Sequence, residues 1–310
     1  MNHTIHKKHH HYGWDNSIAP AMTVAPGDVV EFETVDASGG QINAHTKPDD
    51  LRSLDFARAN PTTGPVYIDG AMPGDAIKVT MLDYALSGHG FTAIIPGFGL
   101  LADDFKEPAI QFWKYATDGR TPAAYGPGGR VPLKPFVGTI GLAPAAPGRH
   151  SVIPPRRVGG NMDFRDLGAG SELYLPVEVK GGLFSLGDSH AAQGDGEVCG
   201  SALESRLDVT VKFELVKGGA PRFPRVVTTG PVTRHLDAKG YEVTTGIGPD
   251  LMEGAKNAVR GMIDVLTAQH GLSADDAYML CSVCADLRIS EIVDKPNWVV
   301  SMYFPRIIFD

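Results

Sequence analysis

Glycine and proline interrupt the first two thirds of this chain so often that long regular elements have little room there. The 310 residues include 37 glycines and 23 prolines, and turn signals such as Ala-Pro-Gly-Asp at 25–28 stand directly before apolar runs. Short segments between turns are typical of β-rich proteins. The pattern predicts strands at residues 28–36, 76–82, 171–179 and 207–215. Apolar and polar residues alternate in the last of these, which indicates a strand with one buried face.

The spacing of apolar residues changes after about residue 245. Apolar residues between 251 and 266 follow the period of a helix, and Gly271 provides a stop signal. Ser273 with Asp276 three residues later resembles a helix N-cap. This pair predicts a second helix that runs through about Leu287.

The order of these elements defines a fold class. Residues 297–304 predict a closing strand, and no helices alternate with the early strands, so a doubly wound parallel sheet is excluded. We predict a mainly β fold with an α/β part. Residues 1–217 would form a β-rich catalytic region, built as a sandwich or barrel, and residues 218–310 an α/β region that completes the fold.

Charge and composition exclude several classes of partner. The chain carries 28 Lys and Arg against 36 Asp and Glu, a net charge of -8, whereas nucleic-acid binding needs concentrated positive charge. Neither an apolar run of membrane-spanning length nor a signal-peptide pattern is present in the sequence. We therefore expect a cytoplasmic enzyme without a nucleic-acid or membrane partner.

The three cysteines are an odd count and too few for a disulfide framework. Cys281 and Cys284 form a Cys-x-x-Cys pair, which would suit redox chemistry or zinc. Their segment is apolar and helix-like, and no second pair accompanies it, so we interpret them as buried core thiols.

The segment 187–197 concentrates acidic and imidazole groups between glycines. In an extended backbone, residues two apart share a face, so Asp188 and His190 should project together, and Asp195 and Glu197 likewise. A carboxylate beside an imidazole is a typical pair of metal ligands. The alternative is that these Asp-Gly pairs only form bends between strands.

Six motifs in order resemble the metal-dependent acetamidase/formamidase family. They are HYGWD at 11–15, VAPGD at 24–28, NPTTGPVYIDGAMPGD at 60–75, GGNMD at 159–163, GDSHAAQGDGE at 187–197 with CGSALE at 199–204, and ISEIVD at 289–294. The resemblance covers nearly the whole chain. It implies hydrolysis of a short amide, such as formamide or acetamide, to the carboxylate and ammonia. It also implies a jelly-roll-like β sandwich joined to a small barrel and an α/β part, assembled as a homo-oligomer.

The residues support this chemistry. An amide is a poor electrophile, so a hydrolase without an evident nucleophilic serine or cysteine needs a Lewis acid and an activated water. We predict a divalent metal, zinc above others, held by Asp188, His190 and Asp163. Glu197 is the predicted general base and Asn161 is predicted to orient the substrate amide.

Further residues are predicted to support the site. Asp195, Gln193 and Glu204 could orient a ligand or the base, and Asp36 is a possible additional site residue. His11 belongs to a family motif and should pack against the body of the protein, where it could line the pocket. The aromatic candidates for a pocket wall are Phe98, Phe136 and Trp113.

The other histidines are interpreted as surface groups. Residues 3–10 should form a solvated tail, since chain ends are usually mobile and the histidine spacing is irregular. His45, His89 and His150 stand in glycine- or proline-rich loops, where a surface histidine is the usual case.

Two other functions stay open. One is a γ-lactamase or other cyclic-amide hydrolase, which the loops around 44–50 and 114–129 do not distinguish from an acetamidase. The other is a non-catalytic β-sandwich module with a structural calcium, which His190 disfavours because calcium prefers oxygen ligands. A nitrilase-type enzyme that uses Cys199 would need alternating strands and helices. The sequence also lacks a Gly-x-Ser-x-Gly elbow and a P-loop.

Overall fold

The computed structural model of the protein describes residues 2–309, and β-strands dominate it: 36% of the chain is strand and 16% helix, which confirms the predicted mainly β class. The strands are β1 Asn2–Ile5, β2 His10–His11, β3 Met22–Val24, β4 Val29–Phe32, β5 Thr62–Ile68, β6 Ala76–Leu86, β7 His89–Ile94, β8 Ala109–Lys114, β9 Ala123–Tyr125, β10 Gly129–Val131, β11 Phe136–Gly141, β12 Gly159–Asn161, β13 Glu172–Pro176, β14 Phe184–Ala192, β15 Leu203–Glu204, β16 Leu207–Val216, β17 Arg225–Val227, β18 Tyr241–Gly248, β19 Asp286–Glu291 and β20 Trp298–Pro305. The α-helices are α1 Leu251–His270 and α2 Ala274–Cys284, and the 3-10 helices are Lys7–His9, Pro48–Ser53, Phe56–Arg58, Asp237–Lys239 and Arg306–Phe309.

Two large sheets pack face to face. One has six strands in the order β1-β4-β16-β6-β13-β17. The other has nine, with the path β12-β11-β14-β15-β7-β8 and with β5 joining β14 to β2 and β3. One apolar core contains side chains from both sheets, and the rings of Phe32 and Phe184 meet edge to face at 5.6 Å across it. The sheets therefore form a β sandwich.

Strand β14 lies inside the nine-stranded sheet and positions the site. It pairs with β11, β15 and β5, and every one of its nine residues is buried. Buried polar groups need hydrogen-bond or ionic partners inside the protein. The polar residues of this strand must therefore be paired by neighbouring elements, and these neighbours build the site.

The C-terminal region packs on the β-rich region through a shared core. Strands β18, β20 and β19 form a three-stranded sheet against α1, and one apolar cluster contains Trp113 together with Met262 and Phe304. Helix α1 ends before Gly271, which adopts a left-handed φ of 65°, as the stop signal predicted.

The predicted second helix is correct at its start and wrong at its end. Ser273 caps α2 by accepting a hydrogen bond from the backbone N–H of Asp276, at 3.1 Å. The helix ends at Cys284 and does not run through Leu287. Residues from Asp286 onward pair with β20 instead, and the Asp286 side chain accepts from Arg165 of the loop after β12.

The N-terminal segment is paired in the sheets and is not the predicted tail, although His6 and His9 are exposed to solvent as expected. Strand β1 pairs in parallel with β4, and β2 pairs with β5. Ile5 is buried in the sandwich core and anchors the segment. His6 Nδ1 lies 3.1 Å from a carboxylate oxygen of Glu33, and His10 Nε2 lies 3.0 Å from the hydroxyl of Tyr12. Strand pairing and the burial of the Ile5 side chain together hold an otherwise polar terminus against the sandwich.

The three cysteines are free and buried, which confirms the interpretation of core thiols. Burial raises the pKa of the Cys199 thiol to about 12 and that of Cys284 well above its usual value. Between residues 2 and 309, no helix combines the length and the apolar character of a membrane span.

A buried ion pair ties the C-terminal sheet to the loop that follows β12. Arg165 donates to both carboxylate oxygens of Asp286, one of them at 2.9 Å, and the two side chains are 2% and 0% exposed. Arg288 also donates to Asp286, at 3.0 Å.

Replacing Asp286 by alanine is expected to lower the free energy of unfolding by about 3 to 5 kcal/mol, because it leaves the Arg165 charge buried without its main partner. The matched control is Glu107→Ala, which removes an exposed ion pair with Arg52 and should cost about 1 kcal/mol or less. Urea unfolding curves of both variants measure the difference. Equal losses for the two variants would contradict the assignment.

Candidate active site

Asp188 and His190 of β14 meet, as predicted. Asp188 Oδ1 lies 3.2 Å from His190 Nε2, and both side chains are buried. The backbone between them is not regular, since Asp188 adopts a left-handed φ of 52°. Gly187 is required before it, because an added Cβ would overlap the carbonyl oxygen of Pro61, which directly precedes β5.

Backbone strain is concentrated around this point. Among residues 2–309, five non-glycine residues have a positive φ, and four of them line one cleft: Asn60, Asp163, Asp188 and Glu197. A left-handed φ costs a non-glycine residue free energy and is common where function positions a side chain. This distribution marks the cleft as the functional site.

Four carboxylates and one imidazole converge in the cleft. Asp188, His190 and Glu204 bring one ligand atom each to within 4.8 Å of one another, and Asp163 and Glu197 form a second such group with the same imidazole. Glu204 comes from β15, which pairs with β14 opposite His190. Its Oε2 lies 3.0 Å from His190 Nε2, so Glu204 contacts the imidazole directly.

Gln193 fixes the imidazole. Its Nε2 donates to the backbone oxygen of Asp163 at 2.9 Å, which turns its Oε1 toward His190 Nδ1, also at 2.9 Å. Because an amide oxygen only accepts, Nδ1 carries the proton in the neutral ring. The lone pair of Nε2 then faces the carboxylates of Asp188 and Glu204. This matches the orienting role predicted for Gln193.

The electrostatics of the cleft disfavour further negative charge. Burial, with the neighbouring Asp188 carboxylate, raises the pKa of Asp163 to about 7. Burial and the Asp163 carboxylate likewise raise the pKa of Glu197 well above its ordinary value. Burial alone would lower the pKa of His190, but Glu204 and Asp188 outweigh it and raise that pKa strongly. The carboxylates therefore need protons or a cation nearby.

Two buried carboxylate oxygens lack a hydrogen-bond partner within residues 2–309: Asp163 Oδ1 and Glu204 Oε2. For Glu204 Oε2 the contact of 3.0 Å to His190 exists, but its geometry is not that of a hydrogen bond. In the same described part of the chain, no lysine or arginine lines the cleft. Buried carboxylate oxygens without partners, beside an imidazole lone pair, have the donor chemistry of a divalent cation site.

Asn60 and Thr139 complete the site, and the sequence argument did not assign them a role. Asn60 Nδ2 donates to Asp188 Oδ2 at 2.8 Å and to Asn161 Oδ1 at 3.2 Å. The Thr139 hydroxyl has one proton, which it shares between Asn161 Oδ1 at 2.6 Å and Asp188 Oδ2 at 3.0 Å. The Nδ2 donors of Asn161 are therefore the ones left for a bound molecule. The start of the motif at 60–75 carried the signal for Asn60.

Asp195 lies outside the group, and the prediction that it shares a face with Glu197 is wrong. Residues 194–197 form a turn and not an extended segment, with Glu197 N bonded to Gly194 O at 3.2 Å. Glu197 lines the cleft, whereas the Asp195 carboxylate lies 3.2 Å from Arg165 Nε and is half exposed.

The remaining predicted residues divide between the cleft and the body. Asp36 does not reach the carboxylates; it accepts a hydrogen bond from the Ser38 backbone at 3.0 Å and shapes the segment behind the cleft. His11 is packed against the body, with Nε2 2.8 Å from the Ser185 hydroxyl. Burial lowers the pKa of His11 to about 4, and this ring does not line the cleft.

Of the three aromatic candidates, only Phe98 lines the cleft. Phe136 packs edge to face on the His190 ring at 5.1 Å, and Trp113 is a core residue that donates to Thr92. His45, His89 and His150 also lie outside the cleft lining, as the surface interpretation predicted. The cleft itself encloses about 90 Å³, which suits a small molecule and not a polymer.

The chain is similar to known amidases. The sequence profile of the Acetamidase/Formamidase family matches residues 1–152 and 145–310, which together span the chain. A formamidase from Methylophilus methylotrophus is 29% identical over 367 residues, covering 97% of this chain and 89% of that protein.

Two solved structures share the fold. A γ-lactamase from Delftia acidovorans superposes with a TM-score of 0.90 at 26% identity, over 99% of this chain and 93% of that one. A predicted acetamidase/formamidase from Thermoanaerobacter tengcongensis superposes with a TM-score of 0.70 at 31% identity, over 99% and 97%. Since the family profile covers the sequence from end to end and the motifs converge in one cleft, this chain belongs to the acetamidase/formamidase family.

Proposed function

We propose that this protein hydrolyses short amides to a carboxylate and ammonia with the help of a divalent metal, zinc above others. The observation that carries the proposal is the convergence of four carboxylates on one imidazole, with two buried oxygens that lack partners in the described chain. Family membership and the formamidase relative support the reaction. The donor set of one nitrogen and several oxygens supports the metal.

Asp188, His190 and Glu204 are the residues that would hold the ion, and Asp163 lies within reach of the same imidazole as a further ligand. A bound zinc supplies Lewis-acid polarisation of the amide carbonyl and lowers the pKa of water toward 7. Gln193 holds His190 with Nε2 facing the carboxylates.

The chain's own groups move the protons. Glu197, which lines the cleft and lies within reach of the His190 imidazole, takes a proton from the attacking water and passes it to the departing nitrogen, so that ammonia and not an amide anion leaves. Asn161, whose oxygen is engaged by Asn60 and Thr139, donates its amide N–H to the substrate and fixes its orientation.

The second candidate is hydrolysis of a cyclic amide, favoured by the TM-score of 0.90 to the γ-lactamase. Both reactions hydrolyse a carbon–nitrogen amide bond. In a cyclic amide the amine stays attached to the product, whereas a linear amide releases ammonia. The same residues would serve both reactions, so substrate shape decides between them.

Location and assembly are part of the proposal. The three free buried thiols support a reducing compartment such as the cytoplasm. Exposed apolar side chains of the C-terminal region support a homo-oligomer: Ile247 and Ile289 on the three-stranded sheet and Val293 just beyond β19 are each more than half exposed.

One experiment tests metal and reaction together. Elemental analysis of the purified protein should find a divalent metal, and the protein should release ammonia from formamide, acetamide or propionamide. A γ-lactam should be assayed by its amino acid product. Chelator treatment should remove activity, and added zinc should restore it. Full turnover by metal-free protein would refute the metal-dependent mechanism.

A further inference from the structure

The cleft is lined by two unlike kinds of side chain. One kind is the carboxylates with Asn161, and the other kind is a set of large apolar side chains, which we call the apolar wall: Ile42, Leu54, Phe56, Phe91, Ile95, Phe98 and Ile153. Formamide has no carbon group on its carbonyl and acetamide has one methyl group. An apolar wall of this size gains little free energy from either, because the hydrophobic contribution grows with the apolar area that is covered.

The apolar wall is a fixed part of the fold. Three of its seven large side chains, Ile42, Leu54 and Phe56, come from the segment 33–61, which we call the wall segment. Gln41 clamps this segment: Oε1 accepts from the backbone N–H of Asp55 at 2.9 Å, and Nε2 donates to Ser38 O at 2.8 Å. Leu51 is 1% exposed and packs with Phe91 of the sheet.

The wall segment is hydrogen-bonded directly to the carboxylate group of the site. The segment leads directly into Asn60, whose side chain donates to Asp188 at 2.8 Å and whose backbone N–H donates to Ala37 O at 2.8 Å. The distance between the apolar wall and the reacting group is therefore set by short, direct contacts and not by a free loop.

Phe56 and Phe98 form the exposed part of this wall. They are 46% and 38% exposed, and their ring centroids lie 6.0 Å apart at an angle of 53°. Phe98 rests on Gly200, where an added Cβ would approach its ring to 2.5 Å. Gly200 N donates to Glu197 O at 2.8 Å, which fixes the Phe98 ring relative to the base.

The charge of the cleft disfavours negatively charged groups. Asp55 lines the cleft in addition to the four carboxylates of the site, and among the described residues no lysine or arginine lines it. A negatively charged acyl chain would meet like charges without a compensating side chain, and a neutral one would not.

We infer that the substrates of this enzyme are uncharged amides whose acyl side carries an apolar group of two to four carbons, open or closed into a ring, and that Phe56 and Phe98 set this preference. The inference rests on the proposed amide hydrolysis. The cleft of about 90 Å³ suits a small acyl group.

The test begins with the wild-type metal-loaded enzyme and the series formamide, acetamide, propionamide, butyramide and γ-butyrolactam. We expect kcat/KM to rise by about fourfold for each added methylene, the factor for burying one such group. Succinamate, which is butyramide-like but carries a carboxylate, should react at least about tenfold more slowly than butyramide.

Phe56→Ala and Phe98→Ala should then lower kcat/KM for butyramide by about tenfold or more, and that for formamide by less than about twofold. The matched control is Phe223→Ala, which removes a 61% exposed phenylalanine outside the cleft lining and should leave the whole series unchanged. Phe98→Leu, which keeps an apolar side chain, should retain most of the preference.

The outcomes separate the inference from the function. If formamide is the best substrate, or if both alanine variants slow all amides equally, the inference is wrong while amide hydrolysis stands. If the wild-type enzyme cleaves none of these amides, the proposed function fails first. A rise of kcat/KM along the series that the alanine variants flatten supports the inference.

Discussion

Asp188→Asn is expected to abolish amide hydrolysis, with a fall in kcat/KM of at least about a hundredfold, and to remove the bound metal. The carboxylate faces His190 Nε2 through Oδ1, at 3.2 Å, and accepts from Asn60 and Thr139 through Oδ2. An asparagine can keep its oxygen toward those two donors. Its NH₂ group then replaces the oxygen that would bind the ion.

The measurements are metal content, ammonia release and thermal unfolding, compared with Asp83→Asn as a control. Asp83 is an exposed aspartate on β6 outside the cleft, and its variant should match the wild type in all three. His190→Ala should behave like Asp188→Asn in metal content and activity. Full ammonia release by either site variant would refute the role of this pair.

Glu197→Gln is expected to lower kcat by about 10² to 10⁴-fold while the metal content stays that of the wild type. Glutamine has the same shape but cannot accept a proton from water. Glu197 also lies outside the group formed by Asp188, His190 and Glu204, so that group should still hold an ion.

Asp195→Asn is the matched control, because it lies in the same turn with its carboxylate directed to Arg165. It should keep turnover within about twofold of the wild type, as an outward, half-exposed group should. If Glu197→Gln turns over normally, another group is the base, and Asp163, which shares the imidazole, is the first to examine.

Local pattern predicted the fold where one face of an element is buried. The alternation between 207 and 215 identified β16, and helical spacing with Gly271 identified α1. It failed where tertiary contacts decide. Ile5 is buried in the core and holds the N-terminal strand there. Asp286 lies beyond the end of the second helix, where it pairs with β20 and contacts Arg165.

In the candidate site, too, local pattern predicted some contacts correctly and failed where tertiary contacts decide the geometry. A spacing of two residues correctly brought Asp188 and His190 together because β14 is a strand, but it failed for Asp195 and Glu197 because their backbone turns. The closeness of Glu204 to the imidazole depends on the pairing of β15 with β14, which no local pattern records.

The turn that carries Glu197 is held from the C-terminal side of the chain. Gly194 N donates to Ser282 O at 2.9 Å, Cys199 N to Ser282 Oγ at 3.1 Å, and Leu287 N to Asp195 O at 2.9 Å. The first two thirds of the chain hold the reacting groups, but the turn of the base is completed by hydrogen bonds with the last third. We therefore expect a fragment that stops near residue 217 to lack a correctly placed base and to be inactive.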